Sequence, residues 1–284
     1  MIKSYKLRRT FSNILVYTVL LVLGLIWISP LVYLVLHSFR DEGLSTVSYL
    51  IPKTYSFKNY IELFTDTATL NFPRWFMNTF VVAIFSCIIS TLAVLMVSYS
   101  FSRLRFKARK PLINIGMILG MFPGFMTMIA IYYLLKAMGL TQTLVALVIC
   151  YSAGAGLGYQ ISKGFFDTIP RALDEAATID GATRNQIFWK IILPMSKPIV
   201  VYTVLTSFIG PWCDFILVNI IMRDNEANFT VARGLYSWTD QQKINDNYRF
   251  FLSGSVVVAI PITALFLYMQ KYYVEGVTAG GVKG

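Results

Sequence analysis

Residues Pro170 to Pro194 read PRALDEAATIDGATRNQIFWKIILP, a long polar, helix-forming stretch between two apolar segments. Pro170 suits a first helical turn, where a missing N–H costs nothing, and Arg171 to Ile179 read as a short helix. Gly181 stands where that helix should stop and can turn the chain through positive φ without a Cβ penalty. Thr183 is a candidate N-cap for a second helix through Ile187, Phe188 and Ile191 to Pro194. Ala176, Ala177, Gly181 and Ala182 leave the hairpin tip almost without side-chain bulk, so another protein's surface can come close to its backbone. Glu175 and Asp180 offer carboxylates to a basic partner. On spacing alone, an ordinary solvated helical loop accounts for the stretch equally well.

Outward from this hairpin the chain turns apolar. Its 284 residues are 56% hydrophobic and 14% charged, with a mean hydropathy of +0.61, which points to a polytopic membrane protein. A net charge of +11 would suit a nucleic-acid ligand. The basic residues, however, flank apolar segments as the positive-inside rule requires, which argues for a lipid bilayer and no nucleic acid. Six apolar runs are long enough to span: about 14–36, 75–101, 112–135, 144–165, 199–222 and 251–273. The first is too long for a signal-peptide core and is followed by no small-residue cleavage site, so it reads as a retained span bent at Pro30. Arg103, Arg105, Lys107, Arg109 and Lys110, without an intervening acid, mark the cytoplasmic end of the second span. Lys3, Lys6, Arg8 and Arg9 precede the first span, and Lys163, Arg171, Arg184, Lys190 and Lys197 surround the hairpin. Connections 38–74 and 223–250 balance their charges and read as external, giving an all-α, N-in/C-in chain. Tyr49, Tyr55, Phe57, Tyr60 and Phe64 in the first of them suit a segment along the membrane interface.

The organisation expected is therefore an arm and first span (1–37), an external connection (38–74), a five-helix core (75–273) carrying hairpin 170–194 and loop 223–250, and a cytoplasmic tail (274–284). The tail's end is too glycine-rich for a helix of its own. Pro123-Gly124 should loosen the third span near its middle. Gly154 and Gly158 form a G-x-x-x-G pair suited to close helix packing. Asp214 lies in the fifth span, where a charge costs roughly 2.5–3.5 kcal/mol, so it should face protein or water. It can hydrogen-bond a neighbouring helix, contact substrate or brace a gate.

Several chemistries are excluded. No G-x-x-x-x-G-K-[ST] loop is present to cradle a nucleotide. His37 is the only histidine, so neither a Ser/His/Asp set nor a zinc site can form, and Cys87, Cys150 and Cys213 are not spaced for metal or disulfides. An enzyme fits poorly, and the energy for any active transport must come from another subunit. A secondary transporter or channel and a membrane scaffold are the competing classes.

Glu175-Ala176-Ala177, Gly181 six positions on, and Ile191-x-Leu193-Pro194 resemble the EAA signature of ABC importer permeases. Asn78, the run 99–105, Phe122-Pro123-Gly124, Gly139-Leu140 and Pro211-Trp212-Cys213-Asp214-Phe215 are similar to carbohydrate-importer patterns, with Cys213 where Asn is usual. The tail 278–284, Met222-Arg223-Asp224, the run 163–169 and Ala130 resemble the G-type subunit of the maltose/maltodextrin branch. The resemblance implies a type I importer permease fold in a bacterial or archaeal cytoplasmic membrane. It implies partnership with a second, F-type permease, an ABC ATPase dimer that alone binds ATP and Mg, and an extracytoplasmic sugar-binding protein. Residue by residue, it implies ATPase coupling through Glu175, Ala176, Ala177, Asp180, Gly181, Ala182 and Pro194, and an ATPase-contacting tail with Gly280, Gly281 and Lys283. It further implies a substrate pathway near Trp212 and Asp214, and binding-protein contacts at Arg233, Tyr236 and Trp238.

Overall fold

An apolar chain in a bilayer must satisfy its own backbone, and helices do so within one segment. The computed structural model describes residues 2–281 apart from 44–46, 48, 68, 156–157 and 242, with side chains given for 9–272 apart from these and 155. Among the described residues there is no strand, only an isolated antiparallel bridge between Arg40 and Tyr55. The chain divides into two units, residues 1–70 with 237–257, and 71–236 with 258–284.

In the first unit, α1 (Ile2–Ser38) runs unbroken through Pro30 and presents exposed apolar side chains along its length, Trp27 at 80% among them. The short α2 (Lys58–Thr65) is tied back by the buried Asn59 amide, which donates to the carbonyls of Ser38 (3.0 Å) and Arg40 (2.8 Å). Arg249 pairs with Glu62 at 2.7 Å. Phe57 and Tyr60 pack their rings against Phe39, so these two aromatics hold the connection together as well as meeting its surroundings. The Tyr49 hydroxyl donates to Glu42 and is the main reason that carboxyl sits below its ordinary range.

The second unit is built on α3 (Phe72–Arg103). One face of this helix repeats every four residues as Val82, Ser86, Ser90, Val94, Ser98 and Ser102, all buried. Small side chains at that spacing let neighbouring helices approach closely. Two of the serines donate to facing carbonyls, Ser90 to Tyr151 (3.3 Å) and Ser98 to Tyr159 (3.0 Å).

The remaining spans depart from the simple six-helix expectation. Among the described residues, three helical stretches are long and apolar enough to cross a membrane alone, and the number becomes six only if three bent pairs each count as one span. The third expected span is two helices, α4 (Arg109–Gly120) and α5 (Gly124–Ala137), at 100°. Pro123 does more than loosen this span, since a proline's predecessor is driven from the helical region and its ring cannot follow a helical turn. The fourth is α6 (Leu144–Ala155) and α7 (Tyr159–Thr168), separate helices whose junction includes residues outside those described. Gly154 and Gly158 are exposed, with no atom within 4 Å of an added Cβ, so the serine face of α3 carries the close packing within this chain.

After the hairpin helices α8 (Ala172–Ile179) and α9 (Arg184–Met195), the chain turns by 87° at Ser196 into α10 (Lys197–Cys213). The fifth expected span is interrupted again at Asp214, which has extended backbone (ψ 114°), before α11 (Ile216–Met222). The Asp214 carboxylate accepts from the Leu217 N–H (3.1 Å) and thereby caps α11. A loop with a 3₁₀ turn leads to α12 (Val231–Ser237), and α13 (Ile244–Gly281) closes the chain. As far as Gly281 the glycine-rich tail thus continues an existing helix, which adds residues without the cost of a new nucleus.

Candidate functional site

The polar hairpin folds as its punctuation demands. Helix α8 ends with Gly181 at φ +84°; its N–H donates to Thr178 O (3.1 Å) and that of Ala182 to Ala177 O (2.9 Å). These two bonds form a Schellman motif, in which the residue after the cap must be left-handed. Helix α9 starts with a full capping box. The Gln186 N–H donates to the Thr183 hydroxyl (3.3 Å), and the Thr183 N–H donates to Gln186 Oε1 (2.8 Å). Over Phe188–Ile192 this helix widens to a π-turn, with the Leu193 N–H reaching Phe188 O. Pro194 follows directly, and its missing N–H and bulky ring supply the reason.

What holds the hairpin is an apolar cluster joining Leu95 and Tyr99 of α3, Phe166 of α7, Ala177 of α8, and Ile187, Phe188 and Ile192 of α9. A buried ion pair locks it further. Arg103 Nη1 lies 3.3 Å from Asp174 Oδ2, with side chains 2% and 11% exposed, while its Nη2 donates to Phe166 O (2.7 Å) and Ile169 O (2.9 Å). The Tyr99 hydroxyl donates to Arg184 O at 3.0 Å. Arg103 is therefore a structural clamp rather than a headgroup-facing cation, whereas Arg105, Lys107 and Lys110 beside it are exposed. Charge counting along the sequence assigned Arg103 to orientation and passed over Asp174, because partners 71 residues apart leave no local signal.

The seven residues singled out on the hairpin do not share one surface. Asp180, Gly181 and Ala182 line a crevice of about 250 Å³ with Gln186, Lys190 and Ile191. Glu175 lines a cleft of about 580 Å³ with Asp174, Arg105, Arg171 and Arg184. Pro194 lines a third hollow with Lys197 and Val200. Ala176 is exposed, but Ala177 is buried (8%) and serves the cluster beneath. Ile179 is 86% exposed on α8, an apolar tip that the motif-based reading did not single out.

Elsewhere the assignments separate. Trp212 is buried (2%) and packs edge-on to Phe76 at 5.2 Å, inside the unit. Asp214 accepts from the Tyr151 hydroxyl (3.1 Å), which is the bond to a neighbouring helix foreseen for it. On the loop after α11, the Asn78 amide donates to Ala227 O (2.9 Å) and Phe229 O (3.0 Å), and Trp75 Nε1 to Glu226 O (2.8 Å). Arg233 stacks over Phe229 at 4.4 Å and Tyr236 lies exposed against Phe215. Trp238 is buried (3%) against Phe250, so it packs its own unit and offers a partner nothing at the surface. Gly280 and Gly281 end α13, but side chains there and all of Lys283 lie outside the described residues. Among the described residues, no three His, Cys, Asp or Glu side chains form a metal-binding group.

Bent apolar helices around a clamped polar hairpin are an arrangement shared with a solved transporter. A solved bacterial ABC transporter that imports the acidic polysaccharide alginate has the same fold, with a TM-score of 0.80 over 93% of this chain and 97% of that one at 21% identity. The chain belongs to the family of binding-protein-dependent transport system inner membrane components, whose model matches residues 89–278. It is 34% identical over 285 residues to the galactooligosaccharides transport system permease protein GanQ of Bacillus subtilis, covering all of both chains. It is 32% identical over 282 residues to the maltodextrin transport system permease protein MalD of Streptococcus pneumoniae, covering 99% of each.

Proposed function

We propose that this chain is one of two permease subunits of an ATP-driven oligosaccharide importer, and that it carries maltodextrins or chemically related neutral oligosaccharides. The observation that bears most weight is the clamped hairpin, whose exposed face lies over a buried ion pair and an apolar cluster shared with α3 and α7. Such a mount transmits force, because packed interfaces switch between discrete arrangements and do not stretch continuously. In this reading ATP and Mg bind to a separate ATPase dimer, which closes and draws the hairpin with it. Glu175, Ala176, Asp180, Gly181 and Ala182 contact the ATPase, Ala177 and Pro194 set the hairpin's shape, and Ile179 enters the ATPase cleft. The second permease completes the pathway, and a sugar-loaded binding protein docks outside, at the loop carrying Arg233 and Tyr236. Residues 274–284 form a cytoplasmic tail with Gly280, Gly281 and Lys283 toward the ATPases. Relatives named for maltodextrin transport and one named for galactooligosaccharides share 32–34% identity with the chain, so both substrate classes enter the test.

The test is ATPase activity of the complex in proteoliposomes, with its binding protein loaded with maltotriose or with a galactooligosaccharide. Stimulation by either one, lost on Glu175→Ala/Gly181→Val, supports the reading. A complex that carries sugar down an ion gradient without any ATPase overturns it.

A further inference from the structure

Helix α3 has 32 residues, about 48 Å at 1.5 Å per residue, against roughly 30 Å of hydrocarbon in a bilayer. Its Arg103 end therefore stands at the level of the lipid headgroups. There Arg103 and Arg105 meet Arg171, just before α8, and Arg184, the first residue of α9, around the cleft of about 580 Å³. Four arginines face two carboxylates, Asp174 and Glu175, so the lining carries an excess of positive charge. Arg105, Arg171 and Arg184 are exposed and form no ion pair among the described residues. Arg171 only reaches Ser102 O, at 3.4 Å. At the floor, the 3.3 Å between Arg103 and Asp174 is long for a charge-assisted bond, and Arg103 Nε and Asp174 Oδ1 have no partner. That pair leaves its charges incompletely matched. Guanidiniums from separate chain segments repel one another in a shared cleft, and a bridging anion removes the repulsion. The rest of the lining is apolar, Leu104 and the 40% exposed Phe106. Helix α4 starts just beyond and turns Leu112 and Ile115 outward. An anion with a hydrocarbon tail uses both kinds of surface, whereas a free phosphate ion uses only the arginines.

We propose that this cleft holds the phosphate of an anionic phospholipid such as phosphatidylglycerol, and that the bound lipid ties the end of α3 to the hairpin. The phosphodiester offers acceptors to the planar forks of Arg105, Arg171 and Arg184, which a guanidinium engages two at a time. Phosphatidylcholine brings its own ammonium, which cancels the headgroup charge and is repelled by the arginines. The Tyr99 hydroxyl already donates to Arg184 O, and Arg171 touches the end of α3 at Ser102. A phosphate shared between Arg105 and the two hairpin arginines adds a further tie across the same junction.

The experiment uses the complete complex in phosphatidylcholine vesicles with a trace of phosphatidylglycerol that carries a photoactivatable diazirine near its glycerol. Irradiation and peptide mapping should place label on residues 104–112. Arg105→Gln/Arg171→Gln should lower that labelling at least tenfold, since each cation near an anionic lipid is worth roughly fivefold in affinity. Arg105→Gln alone, an exposed change outside any helix, should lower it about fivefold with the complex's elution profile unchanged. Lys107→Gln/Lys110→Gln removes two exposed cations of the same stretch that do not line the cleft, and should leave labelling within twofold. Unlabelled phosphatidylglycerol should compete, and phosphatidylcholine should not. Equal labelling by a phosphatidylcholine probe, or equal loss in the lysine variant, reduces the effect to general surface attraction and overturns the site. So does a cleft that takes no label, as when the ATPase covers it. Competition by inorganic phosphate as strong as by the lipid assigns the cleft to a soluble phosphate and overturns the lipid. Labelling requires neither sugar nor transport, so its result is independent of the importer reading.

Discussion

Asp174→Ala tests whether the hairpin is a rigid lever. The substitution strips the carboxylate from Arg103, whose side chain is 2% exposed, and leaves it the carbonyls of Phe166 and Ile169. Removing one partner of a buried pair costs about 3–5 kcal/mol, because the other charge stays buried without compensation. The adjoining cleft of about 580 Å³ admits water to one side of the pair, so the lower end, about 3 kcal/mol, applies here. Driving a two-state transporter from 1:99 to 99:1 takes about 5.5 kcal/mol of differential contact, so a hairpin loosened by about 3 kcal/mol forfeits more than half the drive. Sugar uptake in proteoliposomes should fall by at least tenfold, while basal ATPase and the complex's elution profile stay normal. A double-mutant cycle supplies the control. Once Arg103→Ala has removed the charge, adding Asp174→Ala should cost little further, since the pair acts as a unit. Normal uptake by Asp174→Ala, or additive losses in the cycle, would refute the lever.

Two further substitutions separate backbone from packing effects. At Gly181, φ is +84° and an added Cβ meets nothing within 4 Å, so strain alone should decide the outcome. Gly181→Val should cost about 1–3 kcal/mol and uncouple hydrolysis from uptake, while Gly181→Asn, which tolerates left-handed φ, should retain most activity; equal damage by both would mean that the ATPase needs the empty space itself. Gly234 presents the opposite case, since a Cβ there would lie 2.0 Å from the Trp75 ring. Gly234→Ala should cost about 1–3 kcal/mol by overpacking and lower the complex's melting temperature, and Trp75→Leu in the same chain should recover part of the loss. A melting temperature unmoved by Gly234→Ala would count against the packing described between α12 and α3.

Local grammar made much of the hairpin legible. The positive φ of Gly181, the Thr183 cap and the extent of both helices follow from residue types at fixed offsets, which act over four or five neighbours. The resemblance of Glu175-Ala176-Ala177 to a known signature carried the class. Less legible was which hairpin residues face outward: Ala176 and Ala177 look alike in sequence, yet only the second lies against Phe166 and Ile187. Hydropathy registers length and apolarity and is blind to axis direction, so it merged α4 with α5, which lie at 100° to each other.

The amino-acid sequence by itself determined a helical membrane chain and a polar hairpin with a stop and a cap, because these rest on composition and near-neighbour chemistry. Only the tertiary structure decided the rest. It paired Arg103 with Asp174, made the serines of α3 the packing face in place of Gly154 and Gly158, and joined the Tyr151 hydroxyl to Asp214. Each of these joins groups tens of residues apart, and what brings them together is the bending of helices at Pro123, Ser196 and Asp214 around one straight helix.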